Sequence, residues 1–481
     1  MSRTLKIFLT LITGLGLTAC AAVGPDYQAP ESTLPASWLN RDSAPAMSGA
    51  SPQSAELSQW WQNFNDPQLT SLIDEALQAN LNLRDARLRL IEARLRRANA
   101  TADQLPSLTG SASASRSRAS NDSGGATSSA YSAGFDASWE IDLFGGIRRG
   151  VEAAQADLEA SAANLNDIQV SLAAEVAGSY IEIRGLQLRL AIARANFASQ
   201  QETLQLSEWN NSAGLSDGLE VAQARSSLEQ TRAQIPSLER SLAEAEYSLD
   251  ILLAKAPGTS SGRLTDTGRL PELSAGLAVG IPAEVLQRRP DIRAAERTLA
   301  AETARLGVAE AARYPSLKLS GSIGLDALTL GALGDINAAS GSLLAGLTAP
   351  LFDGGQLRNA AKLQDAVREQ ALVAYEHAVL TALQDVENAL VALRRGNERT
   401  TALAAATSAV QQADEMAKQR YAAGLIDFQT VLDNERSRLS SEDSLASARV
   451  DQLLALVSLY KALGGGWEPR TNLISDTKET P

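Results

Sequence analysis

The chain has 481 residues, 44% of them hydrophobic and 21% charged, and its formal net charge at pH 7 is -13. This acidic balance argues against nucleic acid as a partner, because nucleic acid is bound through clustered positive charge. His377 is the only histidine and Cys20 the only cysteine, which leaves no residue set typical of a transition-metal centre or a Cys–His catalytic pair. No phosphate-binding glycine loop of the Walker type is present. We therefore predict a protein that is not an enzyme and needs no cofactor.

The first twenty residues have the pattern of a bacterial lipoprotein signal. Basic Arg3 and Lys6 start an apolar stretch that is too short to span a bilayer comfortably, and Leu17-Thr18-Ala19-Cys20 follows. In this interpretation residues 1–19 are removed and Cys20 carries acyl chains on its sulfur and amine, which together anchor better than one chain. The alternative is an ordinary secretory signal with an incidental cysteine.

The rest of the chain contains two copies of one unit, offset by about 210 residues, a period far longer than that of a stacked repeat. Each copy is therefore expected to be a whole structural module. Three pairs of segments recur in the same order: Leu105-Pro106-Ser107-Leu108 and Tyr314-Pro315-Ser316-Leu317, Gly145-Gly146 and Gly354-Gly355, and Ala213-Gly214-Leu215 and Ala423-Gly424-Leu425.

Each copy begins with a helix and continues into a pair of strands. Residues 67–104 and 282–313 show helical spacing, and Pro106 and Pro315 stop these helices. Beyond the prolines, apolar and small polar residues alternate as in half-buried strands, with Gly, Ser, Asn and Asp in the connecting loops. The predicted apolar face carries Tyr131, Ala133, Phe135, Ala137, Trp139 and Ile141 in the first copy, and Leu317, Leu319, Gly321, Ile323, Leu325, Leu343, Ala345, Leu347, Ala349 and Leu351 in the second.

Strands of ten to twelve residues with one apolar face fit the span of a transmembrane β-barrel. A pair of soluble hairpins is the alternative. In lipid a sheet cannot leave an edge open, and four strands cannot close a barrel because the smallest single-chain barrels use about eight. If the strands lie in the membrane, the barrel must be shared between chains.

Long helices follow each hairpin, at residues 146–211 and 355–422, and about 66 residues make a rod of about 100 Å. Their apolar residues repeat at seven-residue spacing, which indicates packing of helix on helix. Leu158, Leu165 and Leu172 represent this pattern in the first copy, and Val379 and Val386 in the second. Short glycine turns at 212–218 and 422–427 lead into returning helices, so each copy ends as a helical hairpin.

Six motifs together resemble the TolC-family outer membrane efflux proteins, and most closely the NodT-type, lipid-anchored outer membrane factors. They are Val23-Gly24-Pro25-Asp26-Tyr27, Trp60-Trp61-Gln62-Asn63-Phe64, Arg289-Pro290-Asp291-Ile292-Arg293, Tyr314-Pro315-Ser316-Leu317, Leu351-Phe352-Asp353-Gly354-Gly355 and Ala423-Gly424-Leu425-Ile426-Asp427-Phe428. The resemblance implies an α+β membrane protein. Its homotrimer shares a transmembrane β-barrel of four strands per chain, which continues into a long periplasmic α-helical barrel with an equatorial mixed region.

The expected organisation follows the chain. It comprises the signal peptide (1–19), an anchored N-terminal and equatorial segment (20–66), the first repeat (67–255, with a transmembrane hairpin at 105–142 and a helical hairpin at 146–255), an equatorial linker (256–281), the second repeat (282–463, with hairpins at 314–352 and 355–463) and a C-terminal equatorial tail (464–481).

The resemblance also implies a function and partners. The protein would be the outer membrane channel of a tripartite efflux system, passively conducting solutes that a periplasmic adaptor and an inner-membrane pump of the RND, ABC or major-facilitator type deliver. A non-conducting coiled-coil lipoprotein of the outer membrane is the alternative. It accounts for the anchor and the heptads but not for two hairpins at equivalent positions.

A periplasmic gate is expected where the two helical turns of each chain meet those of its neighbours. The family pattern places this gate at Tyr421, Asp427 and Asp433, with Asp217 on the facing turn. Three symmetry-related carboxylates would repel each other unless they bind cations or pair with basic groups such as Arg420 or Arg436. The alternative is that Asp427 only caps the helix that follows it.

Overall fold

The computed structural model describes residues 22–30, 35–40, 57–118, 120, 125, 127–264, 269–271, 285 and 288–468. Cys20 and the tail beyond residue 468 lie outside these ranges. A short 3-10 helix, Trp60–Phe64, precedes the first repeat. The elements of that repeat are α1 (Pro67–Ala79), α2 (Leu81–Ala102), β1 (Ser107–Arg118), β2 (Thr127–Ile141), α3 (Gly146–Ser212) and α4 (Gly218–Leu252).

The second repeat also runs from a helical part through two strands to two long helices, but among the described residues one α-helix precedes its strands and two 3-10 helices lie between them. It consists of α5 (Pro290–Ala311), β3 (Ser316–Ala327), two 3-10 helices (Leu330–Gly334 and Ile336–Ala338), β4 (Ala339–Thr348), α6 (Gln356–Ala422) and α7 (Phe428–Ala462). The long helices α3 and α6 have 67 residues each and the returning helices α4 and α7 have 35 each. Among the described helices, none combines the length and the apolar character that crossing a membrane requires.

The prediction of a single helix over residues 67–104 was wrong, because the chain breaks at Asn80 into α1 and α2. The backbone of Asn80 is extended, with ψ of 133°. Its side chain replaces the lost helical bonds: Nδ2 donates to the carbonyl of Leu252 at 2.9 Å, and Oδ1 accepts from the N–H of Leu83 at 3.1 Å. Asparagine therefore ends one helix and caps the next.

The four strands form one antiparallel sheet in the order β1-β2-β3-β4, so β1 and β4 are its outer strands. The pairing aligns the apolar faces that were predicted for β2, β3 and β4, although the predicted positions Ala349 and Leu351 lie beyond the end of β4. Phe135 lies opposite Gly110 on β1 and Ile323 on β3, while Trp139 lies opposite Leu319. Because side chains alternate along a strand, this register joins the apolar residues of neighbouring strands on one face of the sheet, and only Arg116 and Arg118 at one end of β1 bring charge to that face.

The opposite face of the sheet carries pairs of hydroxyl groups. The Oγ atoms of Ser113 and Ser132 lie 2.8 Å apart, and those of Ser322 and Ser342 also lie 2.8 Å apart. Ser117 and Ser128 form a third pair at 2.9 Å. Small hydrogen-bonded side chains on one face and apolar ones on the other make a sheet suited to a boundary between water and lipid.

The chain divides into two compact units, and each takes segments from both repeats. The first contains residues 88–163 and 293–377 with the N-terminal segment to residue 31, and therefore the whole sheet. Near the end of β2, the rings of Phe144 and Tyr314 stack with their centroids 4.8 Å apart. Aromatic residues at the ends of strands are typical of the two membrane–water interfaces of a transmembrane β-barrel.

The described residues of the second unit lie within the ranges 32–87, 164–292 and 378–468. The fully buried Trp60 stacks on Tyr460 at 4.8 Å, and the Tyr180 hydroxyl on α3 donates to Asp66 at 2.7 Å. Within the same unit, buried Arg289 binds Asp291 and Asp385. Two of the six motifs, one at Trp60 and one at Arg289, thus have core-forming roles.

Candidate functional site

The turns between α3 and α4 and between α6 and α7 have the same backbone structure. Gly214 and Gly424 have φ of +72° and +70°, a left-handed conformation that glycine adopts without steric cost. The N–H of Leu215 donates to the carbonyl of Asn210 at 2.8 Å, and that of Leu425 donates to the carbonyl of Arg420 at 2.9 Å. Both long helices therefore end in the same glycine-terminated motif, which explains the repeated Ala-Gly-Leu.

An aspartate begins the returning helix after each turn. Asp217 accepts hydrogen bonds from the N–H groups of Leu219 and Glu220, at 3.0 and 3.3 Å. Asp427 accepts from the N–H and the hydroxyl of Thr430, at 2.9 and 2.5 Å. These bonds lower the pKa of the fully exposed Asp427 carboxyl, the hydroxyl bond contributing most. Both residues are N-caps in the single chain.

Tyr421 connects the two turns. Its hydroxyl donates to Oε2 of Glu220 at 3.0 Å and accepts from Nδ2 of Asn210 at 3.4 Å. Its ring packs at 5.4 Å from that of Phe428 and covers a small buried cluster that includes Leu432. Burial raises the pKa of Tyr421, and the acceptor Glu220 raises it further, although Asn210 opposes this.

The other predicted gate residues make weaker contacts within one chain. Asp433 accepts from Gln429 at 2.9 Å, and its Oδ1 lies 3.9 Å from Nη1 of Arg436. Both side chains of this ion pair are about half exposed, so the pair contributes little to stability. Arg420 contributes its backbone carbonyl to the turn. The described contacts of Asp427 are with Thr430, rather than with the basic groups suggested from the sequence.

The structure thus brings Tyr421 close to the start of α4, which Asp217 caps, and it adds Glu220 and Asn210, which sequence reasoning missed. Glu220 stands three residues after the cap, a position where a carboxylate is common in any helix, so no local signal distinguished it. An open cleft of about 530 Å³ lies between the turns. It is lined by Gly214, Leu215, Ser216, Asp217, Leu219, Glu220, Gln223, Asp427, Phe428 and Gln429.

The described N-terminal segment is fixed to the end of the sheet. The N–H of Val23 donates to the carbonyl of Phe144 at 3.0 Å, and buried Arg149 binds Asp26 at 2.5 Å and Glu152 at 2.7 Å. The Tyr27 hydroxyl donates to Glu296 at 2.9 Å. These bonds explain the motif at residues 23–27. They fix this segment, which begins three residues after Cys20, to the end of the sheet.

Comparison with known proteins gives similarity along nearly the whole chain. A family model described as outer membrane efflux protein matches residues 72–255 and 281–465. The chain is 35% identical over 468 residues to the pyoverdine export outer membrane protein OpmQ of Pseudomonas putida, covering 94% of this chain and 96% of OpmQ. It is 32% identical over 473 residues to nodulation protein T of Rhizobium leguminosarum bv. trifolii, covering 96% and 98%. The solved outer-membrane channel OprN has a TM-score of 0.86 at 37% identity, covering 93% of this chain and 100% of that one.

Proposed function

The chain belongs to the outer membrane efflux protein family and is the outer membrane channel of a tripartite efflux system. We propose that it conducts solutes passively from an inner-membrane pump to the outside of the cell. Family membership confirms the predicted fold class, the trimeric channel architecture and the outer membrane location with a periplasmic extension. The pump supplies the energy, and the channel supplies a path.

The register of the sheet is the observation that carries this proposal. One face carries apolar and small residues on all four strands, with Arg116 and Arg118 at one end of β1, and the other face carries paired hydroxyls. In lipid each unpaired N–H or C=O group along the outer strands β1 and β4 would cost free energy. These groups must therefore form hydrogen bonds with strands of neighbouring copies. Three copies supply twelve strands, enough for a closed barrel whose hydroxyl-bearing face lines a water-filled interior.

We further propose partners and an anchor. A periplasmic adaptor would bridge the helical end to an inner-membrane pump of the RND, ABC or major-facilitator type. The Leu-Thr-Ala-Cys motif supports acylation of Cys20, and the fixation of residues 23–27 beside the sheet would keep that anchor near the barrel. The covalent lipid would be the only attached group, with no cofactor and no enzymatic activity.

Two measurements test the proposal. The purified trimer in a planar bilayer should carry ion current without nucleotide or a pump, and a strain that lacks the chain should regain efflux when it is restored. A trimer that remains non-conducting after the turns are loosened by mutation would favour the structural-lipoprotein alternative. Crosslinking in cells followed by purification should recover an adaptor and one pump class, and recovery of neither would overturn the proposed partners.

A further inference from the structure

A cluster of buried charges lies behind the turns, where α3, α6 and α7 pack together. Asp414 on α6 and Glu435 on α7 are 1% and 2% exposed, respectively. Lys418 lies between them, with Nζ 3.2 Å from Oδ2 of Asp414 and 3.1 Å from Oε1 of Glu435. Two carboxylates therefore share one ammonium group in an interior position.

Helix α3 completes the surroundings of this pair with hydroxyl groups. Lys418 donates to Oγ of Ser199 at 2.6 Å, and the hydroxyl of Thr203 donates to Oε1 of Glu435 at 2.7 Å. These bonds join α3 to both helices of the second hairpin. The cluster therefore fixes the packing of the elements that hold the second turn.

Arg438 links the buried pair to a third carboxylate. Its Nη1 lies 3.0 Å from Oδ2 of Asp414, and its Nε lies 3.1 Å from Oε1 of Glu442. Gln411 and Asn196 also donate to Glu442, at 2.8 and 2.9 Å. Burial alone would raise the pKa of Glu442, but these donors outweigh it and lower that pKa. Glu442 is therefore held in its ionised form.

The charges of the cluster do not balance. The cluster has three carboxylates and two cationic groups, so its formal charge is -1 when all five are ionised. The carboxylates are Asp414, Glu435 and Glu442, and the cationic groups are Lys418 and Arg438. Two buried oxygens, Oδ1 of Asp414 and Oε2 of Glu435, have no hydrogen-bond partner among the described residues. A buried, unpaired carboxylate oxygen costs free energy that a donor would recover. A proton on one carboxylate would remove the excess charge and provide a donor.

The groups that act on Glu435 come from two neighbouring helices. Burial raises its pKa, and the negative charge of Asp414 raises it further, while Thr203 and Lys418 oppose the shift. On α4, the charged residues near the turn have other partners: Glu220 accepts from Tyr421 and Arg225 pairs with Glu208. Asp414 is bound by two cationic groups, Lys418 and Arg438, whereas Lys418 alone pairs with Glu435 among the described residues, so Glu435 is the carboxylate that we expect to take the proton.

We propose that Asp414, Lys418 and Glu435 form a proton-binding site that links the packing of α3, α6 and α7 to the pH of the periplasm. The site takes up one proton per chain at Glu435 as the pH falls, and its formal charge changes from -1 to zero. The ligand is the hydrated proton, and no metal is required. This inference goes beyond the channel function, and its main test does not depend on conduction.

The direction of the effect follows from linkage. A carboxyl whose pKa is raised by folding binds its proton more tightly in the folded state than in the unfolded state. Stability from this group is present at low pH and is lost as the pH rises through the folded-state pKa. Glu435 lies eight residues into α7, about 12 Å from the turn along the helix axis. Protonation should therefore hold the helices beside the turn more firmly.

Infrared difference spectroscopy of the purified trimer in lipid, titrated in small pH steps, tests the proposal. The wild type should show the carbonyl band of a buried protonated carboxylic acid that grows as the pH falls, and Glu435→Gln should lose it. The control is Asp443→Asn on the same helix, because Asp443 forms an ion pair with Arg189 in which both side chains are about one third exposed. The control should keep the band. A band that survives in Glu435→Gln would overturn the assignment.

A milder variant keeps the test informative if Glu435→Gln does not assemble. Thr203→Val removes one donor to the ionised carboxylate while nearly preserving volume, so the midpoint of the band should move to higher pH. An unchanged midpoint would contradict the proposal. Amide hydrogen exchange at the turns, corrected for intrinsic pH dependence, should slow at acidic pH in the wild type and change less in Glu435→Gln. An equal change in both proteins would break the link to the helix packing.

Discussion

Tyr421 and Glu220 join the two turns of the chain through a single hydrogen bond, 3.0 Å from the phenolic oxygen to Oε2. Tyr421 lies at the end of α6 and Glu220 in the first turn of α4, so the bond connects the second repeat to the first. Together with the Asn210–Tyr421 bond and the buried cluster around Phe428, it resists separation of the two helical hairpins at their turns. The predicted gate role of Tyr421 remains a prediction, and this geometry specifies how to test it.

Tyr421→Phe should weaken the contact between the two turns of the chain. The substitution keeps the ring that packs on Phe428 and removes a hydrogen bond worth roughly 1 kcal/mol net. Single-channel recording in a planar bilayer should show higher conductance and weaker cation selectivity. Tyr247→Phe, at a half-exposed tyrosine on α4, serves as the control and should behave as wild type. Equal recordings for the three proteins would mean that the bond does not restrain the channel.

Asp427 can be tested for its two possible roles with two substitutions. Asp427→Asn retains an N-cap of similar quality but removes the charge, whereas Asp427→Ala removes both. If the carboxylate acts in the gate, both variants should raise conductance and weaken cation selectivity. If it is only a cap, the asparagine variant should match wild type, and the alanine variant should show only a lower thermal midpoint.

The pH dependence of the cap has a defined sign. The bonds from Thr430 lower the pKa of Asp427 in the folded chain, so the stability it contributes is present above its unfolded-state pKa and is lost as the pH falls through the folded-state pKa. Because the group is fully exposed, solvent screens this effect. As the pH falls through the folded-state pKa, the difference in thermal midpoint between wild type and Asp427→Ala should therefore shrink.

Local periodicity was sufficient to predict the strands and the long helices. Alternation identified the apolar face of β2 and of β3 separately, and heptad spacing identified positions such as Leu158 and Val379 that are buried. These patterns depend only on neighbours along the chain. The pairing of the strands in the sheet then places these predicted faces side by side, as Phe135 opposite Ile323 shows.

Contacts between distant segments could not be predicted in the same way. Asp414 and Lys418 have the spacing of an ordinary surface ion pair on one helix, and their burial depends on how α3 packs against α6 and α7. The break at Asn80 has the same origin, since its amide bonds to Leu252, 172 residues away. Neither propensity nor spacing encodes these long-range pairings.

Cys20→Ser should abolish acylation at this position. Cys20 is the only cysteine, so metabolic labelling with a fatty acid should mark the wild type and leave the variant unlabelled. Equal label on both would contradict the lipoprotein prediction. Because the sheet would still embed in lipid, some trimer of the variant should remain functional.

Charged substitutions can establish which face of the sheet meets lipid. Phe135 and Leu319 belong to the apolar face, whereas Ser138 and Ser320 face each other on the hydroxyl-bearing side of β2 and β3. Arginine at Phe135 or Leu319 should cost roughly 2 to 4 kcal/mol near the middle of the bilayer, because a charge on the lipid face cannot keep its hydration.

Arginine at Ser138 or Ser320 provides the matched control, because these positions are on the same two strands but open to a water-filled interior. The control variants should form heat-resistant trimers on a gel as wild type does, and the two lipid-face variants should form fewer. Phe135→Leu separates the loss of the aromatic ring from the introduction of charge and should retain the trimer. If both faces tolerate arginine equally, the apolar face of the sheet does not contact lipid, and the membrane position assigned to these strands is wrong.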